Sequence, residues 1–293
     1  MGIATVIQWT VHTFNPWIGC TKISRACKLC YAALLAGRYW KVKWGPKGDR
    51  RPVAESTWKN PYKWNRKAQK EGHRALTFCA SLADVFEDHP AVVEYRERLW
   101  RVIEQTPFLE WQLLTKRPEN ITRFLPPHWI EEPRDNVWLG TTVESPELYQ
   151  RIEDLIAVPA KCHFLSIEPI VEAMPNLPLK DIEWVIVGGE SGAGYQAADI
   201  DHIRSVRDQC VEQDVRFFFK QWGTTSPKKA GRELDGREWS EFPDCWDPKA
   251  IPAAVKPTPL PTIDWDRIST RVAQPSMYDY AIKARTRRRG ESS

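Results

Sequence analysis

Six short apolar runs, rich in β-branched and aromatic residues, recur along the middle of the chain at 75–81, 110–115, 136–143, 161–167, 183–187 and 216–220. Their length and composition predict β-strands. The stretches between them carry helical spacing at 90–105, 118–124, 146–157 and 200–213, where proline at or near the first turn suits a helix start. Strands that alternate with helices build parallel β/α units. One further strand before Cys20 brings the total to about seven. The pattern therefore predicts an α/β fold: a (β/α) barrel, incomplete, with about six to seven parallel strands, in preference to a doubly wound sheet.

In such a barrel, reactive groups gather where strands end and the following loops begin. The predicted strand ends are unusually polar: Ser81 and Asp84, Lys116 and Arg117, Thr142, Glu144 and Ser145, Glu168, Glu190 and Ser191, then Lys220, Gln221 and Trp222. Paired glycines after an apolar strand, as in Gly188-Gly189-Glu190, let a ligand approach the backbone, and Glu190 could then hold an ammonium or a ribose hydroxyl. A glycine-rich turn with a solvated acid is the plain alternative. The spacing is not that of a dinucleotide fingerprint. Glu168 follows an apolar strand directly, where an unpaired charge is costly unless it meets a cation or a ligand. It is a candidate polar anchor, or else one half of an ion pair with Lys116, Arg117 or Lys220. Ser81, Thr142, Glu144, Glu168, Gly188, Gly189 and Glu190 form the candidate cofactor-binding set.

Composition fits a globular chain: 293 residues with 42% apolar content bury a sizeable core. No stretch reads as a membrane span or a signal peptide, so the expected compartment is the cytoplasm. The net charge is only +4, but it is unevenly spread. Segment 38–74 holds twelve Lys/Arg against three acids, segment 75–247 has a net charge of −13, and segment 248–293 has +5. The organisation expected is a barrel over 1–247 with a basic insertion at 38–74, followed by a Pro-rich basic extension, partly disordered, over 248–293. The insertion mixes cations with aromatic rings, and cations neutralise phosphates while aromatic faces stack on bases. Lys41, Lys43, Trp44, Arg50, Arg51, Trp58, Lys63 and Trp64 are therefore candidate nucleic-acid contacts, against the alternative that the tryptophans pin the insertion to the barrel.

Seven cysteines, an odd number, argue against a secreted disulfide framework. Cys20, Cys27 and Cys30 lie in one stretch at C-x6-C-x2-C spacing with no fourth cysteine nearby. Three thiolates suit a four-iron cluster with one iron left open. A zinc knot would need a fourth ligand such as His12, His73 or Cys79. Cys79, at the end of a predicted strand, is also a candidate hydrogen-atom donor, with a buried structural thiol as the alternative.

The segment Cys20 to Cys30 resembles the cluster loop of radical S-adenosylmethionine (SAM) enzymes, with a first gap of six residues where that superfamily has three. More closely, the run over roughly residues 8 to 247 resembles a phage and prophage family of uncharacterised proteins with a three-cysteine motif, described as radical-SAM-like. The resemblance implies a [4Fe–4S] cluster on Cys20, Cys27 and Cys30, SAM bound to the open iron, an external electron donor, and a 5′-deoxyadenosyl radical that takes a hydrogen from the substrate. With the basic aromatic insertion, the expected substrate is a nucleic acid or nucleotide in repair or base modification. The rival expectation is a metal-stabilised nucleic-acid-binding protein without catalysis, or an accessory partner in a phage or defence system.

Overall fold

In the computed structural model, residues 5, 7–190, 194–224, 231–250 and 252 are described. Seven parallel strands form one sheet, curled into a half-barrel, in the order β1 (His12–Thr13), β4 (Ala75–Cys79), β5 (Leu109–Thr115), β6 (Val137–Thr142), β7 (Cys162–Ile167), β8 (Trp184–Gly188) and β9 (Arg216–Gln221). Spatial order follows chain order, as successive β/α units require. The central strands are buried almost throughout, which is why they read as near-continuous apolar runs. Two minor pairs complete the strands: β2 (Trp17–Ile18) with β3 (Arg51–Pro52), and β10 (Glu233–Leu234) with β11 (Arg237–Glu238).

Among the described residues, eight α-helical segments accompany the sheet: α1 (Tyr31–Leu35), which continues as a π turn over Ala36–Trp40, then α2 (Glu55–Trp58), α3 (Asn60–Glu71), α4 (Val93–Glu104), α5 (Ile121–Phe124), α6 (Pro127–Glu131), α7 (Gln150–Ile156) and α8 (Ile200–Glu212). Helix α4 buries Leu99, Trp100, Val102 and Ile103, and α8 buries Ile203, Val206 and Cys210 at i, i+3 and i+7 spacing. The Asp199 side chain caps α8 by accepting the Asp201 N–H at 2.8 Å. Between β7 and β8 the chain crosses without a helix. Inside the basic insertion, α3 starts with Pro61 in its first turn and ends at Gly72, whose positive φ closes the helix.

Alternation along the strands gives the sheet two unlike faces. The helix-side face joins the larger core. The other face is filled near the strand starts by Trp9, Leu76, Phe78, Trp138, Cys162, Phe164, Trp184, Ile186 and Phe218. Trp184 anchors this cluster, with Trp9, Trp138, Phe164, Phe218 and Phe242 rings all within 6.1 Å of its centroid. The Phe164 ring lies on Gly140, where a Cβ would meet it at 2.3 Å. Two and four residues further along the same strands come Thr142 and Glu144, Ser166 and Glu168, Gly188, and Lys220. The face thus changes from aromatic at the strand starts to charged at the strand ends.

The chain divides into two units after Ala253, and the second lies outside the described residues. The segment read as a basic extension over 248–293 falls mostly there. No helix among the described residues is long and apolar enough to cross a membrane.

Candidate active site

The loop that carries Cys20 is fixed to the strand ends by a buried charge network. Asn15 accepts the Leu82 N–H at 2.7 Å and Gly19 donates to Leu82 at 3.0 Å, so the loop runs beside the end of β4. Gly19 has φ +125°, and a Cβ there would lie 2.3 Å from the Asp49 carbonyl oxygen, so only glycine fits. Glu87 accepts the Thr21 N–H at 2.7 Å and both Arg50 Nε at 2.7 Å and Nη2 at 2.6 Å. Arg117, just past β5, donates to Asp84 at 2.8 Å and to the Thr21 carbonyl at 2.6 Å, and reaches the Cys20 sulfur at 3.7 Å. Asp84 is held further by the Thr115 hydroxyl at 2.7 Å. Burial alone would raise the Glu87 carboxyl, but hydrogen bonds from Arg50 and Thr21 and the charges of Arg50 and Arg117 bring it below its ordinary range.

The three thiols differ in environment. Burial, and then the Asp84 charge, push the Cys20 thiol up, with Arg117 opposing. Burial also works against ionisation of Cys27, yet a 3.5 Å contact with the Ser24 hydroxyl, backbone hydrogen bonds and the Lys116 charge leave it below an ordinary thiol. Cys30 is pushed up by burial despite backbone hydrogen bonds and the same lysine. Lys116 in turn lies 3.5 Å from Glu144, which pairs with Arg151 at 3.0 Å. Arg117 and Lys116 at the end of β5 therefore stand between the cysteine loop and Glu144.

Glu168 pairs with Lys220, as one of its two readings expected. Its Oε1, and Oε1 of Glu144, are buried with no hydrogen-bond partner. A Cβ at Gly188 would meet the Glu168 side chain at 3.3 Å, so this glycine lets that side chain pack closely on the strand end. Gly189 donates to the Gln221 carbonyl at 3.0 Å, and a Cβ there would lie 2.1 Å from Gly223 N. Glu190 accepts the Gln196 N–H at 2.8 Å. Ser81 is bonded to Asn15 at 3.0 Å. Thr142 is buried, with its carbonyl taken by Arg151 at 2.8 Å.

Other residues singled out by sequence lie elsewhere. Cys79 is wholly buried and packs in the helix-side core, where burial raises its thiol, so it does not reach the mouth. Arg50 and Trp58 are buried: the first is committed to Glu87, and the second lies against Phe14. Trp64 stacks on His12 at 4.3 Å, and Trp44 packs against the small cluster of Ile18, Ala36 and Val42. Lys41, Lys43, Arg51 and Lys63 are exposed. Sequence reading missed Glu87. Its signal was an acid inside the run Val85-Phe86-Glu87, where burial demands a cation.

The profile of a family described as "Protein of unknown function (DUF5131)" matches residues 4–243. The chain belongs to this family. The matched region holds every residue of the cysteine loop and the strand-end mouth. No curated protein and no solved structure matches the chain.

The donor set suits an iron–sulfur cluster: three thiols on one short loop, with Arg117 and Lys116 to offset thiolate charge. His12 and His73, the histidines considered for a zinc site, are engaged by Trp64 and by Glu71 at 3.8 Å. Among the described residues, no three side chains stand already converged as a metal site. The Cys20 and Cys27 sulfurs instead meet Thr21 and Ser24 in their own loop.

Proposed function

We propose that this chain is a radical-SAM-type iron–sulfur enzyme, with a [4Fe–4S] cluster held by Cys20, Cys27 and Cys30 and SAM bound at the mouth of the half-barrel. The observation that carries this reading is that one strand end serves both groups: Arg117 reaches the Cys20 sulfur at 3.7 Å, and its neighbour Lys116 lies 3.5 Å from Glu144, whose Oε1 is buried without a donor. When bound, the cluster and SAM supply one-electron cleavage chemistry, with the electron brought by an external donor. The chain's own residues do the rest. Glu144 and Glu168 would accept hydrogen bonds from the ammonium and ribose hydroxyls of SAM, and Lys116 and Lys220 fix those carboxylates. The Trp184 cluster below the mouth excludes water. Arg117 and Lys116 offset the thiolate charge.

The substrate class proposed is a nucleic acid or nucleotide, undergoing repair or base modification. With Arg50 and Trp58 inside the fold, phosphate contact falls to Lys41, Lys43, Arg51 and Lys63. Affinity that ignores salt, or survives loss of these four cations, would remove that substrate class. The second reading is a non-catalytic metal-stabilised nucleic-acid-binding or phage or defence accessory protein. Alanine substitution of each loop cysteine tests both readings. Loss of iron and sulfide in all three variants is expected, whereas unchanged metal content would defeat both.

A further inference from the structure

The helix that follows Cys30 turns its bulky side outward. Along α1 and its π turn, Ala32 and Ala36 face the fold at 3% and 0% exposure, while Tyr31, Leu34 and Tyr39 stand 48%, 61% and 62% exposed. With Leu35 they recur at intervals of three, four and five residues, which fall on one face where an α-helix runs into a π turn. Scattered apolar residues on a surface need no explanation, but a contiguous strip of this kind marks an interaction site. Tyr31 and Tyr39 are eight residues apart, roughly 12 Å along the axis at the helical rise, which is room for two or more stacked bases.

Charge and rings together decide the occupant. Segment 22–48 carries seven Lys/Arg and no acid, and Lys22, Arg25, Lys28, Arg38, Lys41 and Lys43 are exposed. Arg38 sits within the strip: its guanidinium lies 5.4 Å from the centre of the Tyr39 ring, with the Trp40 ring edge-on at 6.0 Å. A cation among apolar side chains opposes burial in a lipid surface, where it would have to leave water, but suits a polymer that carries phosphates. A second copy in a two-fold interface would set this basic face against itself. A duplex keeps its base faces inside the stack and presents phosphates alone, so the tyrosines and leucines would find no apolar partner on it. An unpaired strand offers phosphates and open ring faces together.

We propose that this strip is a stacking platform for single-stranded nucleic acid, with Tyr39 and Tyr31 each taking a base and Arg38 the intervening phosphate. The inference rests on the nucleic-acid reading of the substrate and narrows it to unpaired strands. Lys41 and Lys43, among the cations that reading assigns to phosphate, continue the same path beyond Tyr39. Tyr31 follows Cys30 directly in the chain, so a strand on the strip passes beside the cysteine loop.

The test is fluorescence anisotropy of the full-length protein with labelled oligo-dT, oligo-U and a duplex of equal length, over a range of salt. Parent, Tyr39→Ala, Tyr39→Phe and the Lys41→Ala/Lys43→Ala double variant are compared. The parent is expected to bind the better of the two single strands more tightly than the duplex. Tyr39→Ala should weaken that binding about 5- to 150-fold, the loss of one stacked base, with the salt slope unchanged because no charge is removed. Tyr39→Phe keeps the ring and should bind within about twofold of the parent. The lysine variant should instead make the salt slope shallower. Equal single-strand affinity in parent and Tyr39→Ala would overturn the proposal, as would tighter binding of the duplex. So would a loss in Tyr39→Ala that falls on phosphatidylserine vesicles and spares the oligonucleotides. If the duplex binds with a salt slope that the lysine variant lowers and Tyr39 makes no difference, the platform fails while the nucleic-acid reading stands. If none of the three polymers binds, both fail.

Discussion

The Arg117 guanidinium lies 3.7 Å from the Cys20 sulfur while donating to Asp84 at 2.8 Å. One side chain thus joins the first loop cysteine to the end of the sheet. Because Arg117 also binds the Thr21 carbonyl at 2.6 Å, the loop's position is set by the strand register. The sheet thereby delivers a flexible-looking cysteine loop to a defined place at the mouth.

Removing that cation leaves the buried Asp84, 5% exposed, without its ion-pair partner, while Glu87 keeps Arg50. Arg117→Ala is expected to lower the unfolding free energy by about 3–5 kcal/mol, the usual result of deleting one partner of a buried pair. Arg117→Lys keeps the charge and should cost less. Urea midpoints measure both, and an alanine variant as stable as the parent would show that the network does not hold the loop.

The two glycines after β8 should respond unequally to an added methyl. Gly188→Ala meets the movable Glu168 side chain at 3.3 Å, and overpacking of this order costs about 1–3 kcal/mol. Gly189→Ala meets the Gly223 backbone nitrogen at 2.1 Å, which cannot swing away. Thermal unfolding should therefore rank Gly189→Ala well below Gly188→Ala, and the reverse order would contradict the geometry of the turn.

His12 is expected to stay neutral far below the usual histidine range. Burial, and then the Lys67 charge, bring it down to about 4. Its ordinary value is about 6.5, so between those limits the unfolded chain binds the extra proton. Stability should fall as pH falls through about 6.5 towards about 4, with this contribution fully lost below that window. Replacing His12 with Phe, which keeps a ring against Trp64, should flatten that part of the pH–stability curve. An unaltered slope would show that His12 is protonated in the folded protein.

The six strands from β4 to β9 were legible because burial on both faces keeps most of their positions apolar. Proline at the starts of the 90–105 and 146–157 segments likewise marked helices that the structure opens with a 3-10 turn, at Pro90–Val92 and Pro146–Leu148. Helix α3 was hidden by its charge: a run such as Asn65-Arg66-Lys67 looks like a binding surface when its buried partners, Pro61 and Ala68, are small. The aromatic residues of the same segment were ambiguous for a related reason. Only packing distinguishes Trp58, set edge-on against Phe14, from a ring offered to a base. At the mouth, Glu168 and Lys220 were readable as strand-end charges, and their pairing was one of the alternatives weighed. The Arg50–Glu87 pair joins residues 37 positions apart, which no local pattern reveals.

The most direct measurement is anaerobic purification with iron, sulfide and zinc analysis, followed by dithionite reduction with SAM and a search for 5′-deoxyadenosine. About four irons per chain, matching sulfide, and 5′-deoxyadenosine that disappears with Cys20→Ala, Cys27→Ala or Cys30→Ala is the expected result. Zinc in place of iron, or a cluster that leaves SAM intact, would contradict the account and put the non-catalytic reading in its place.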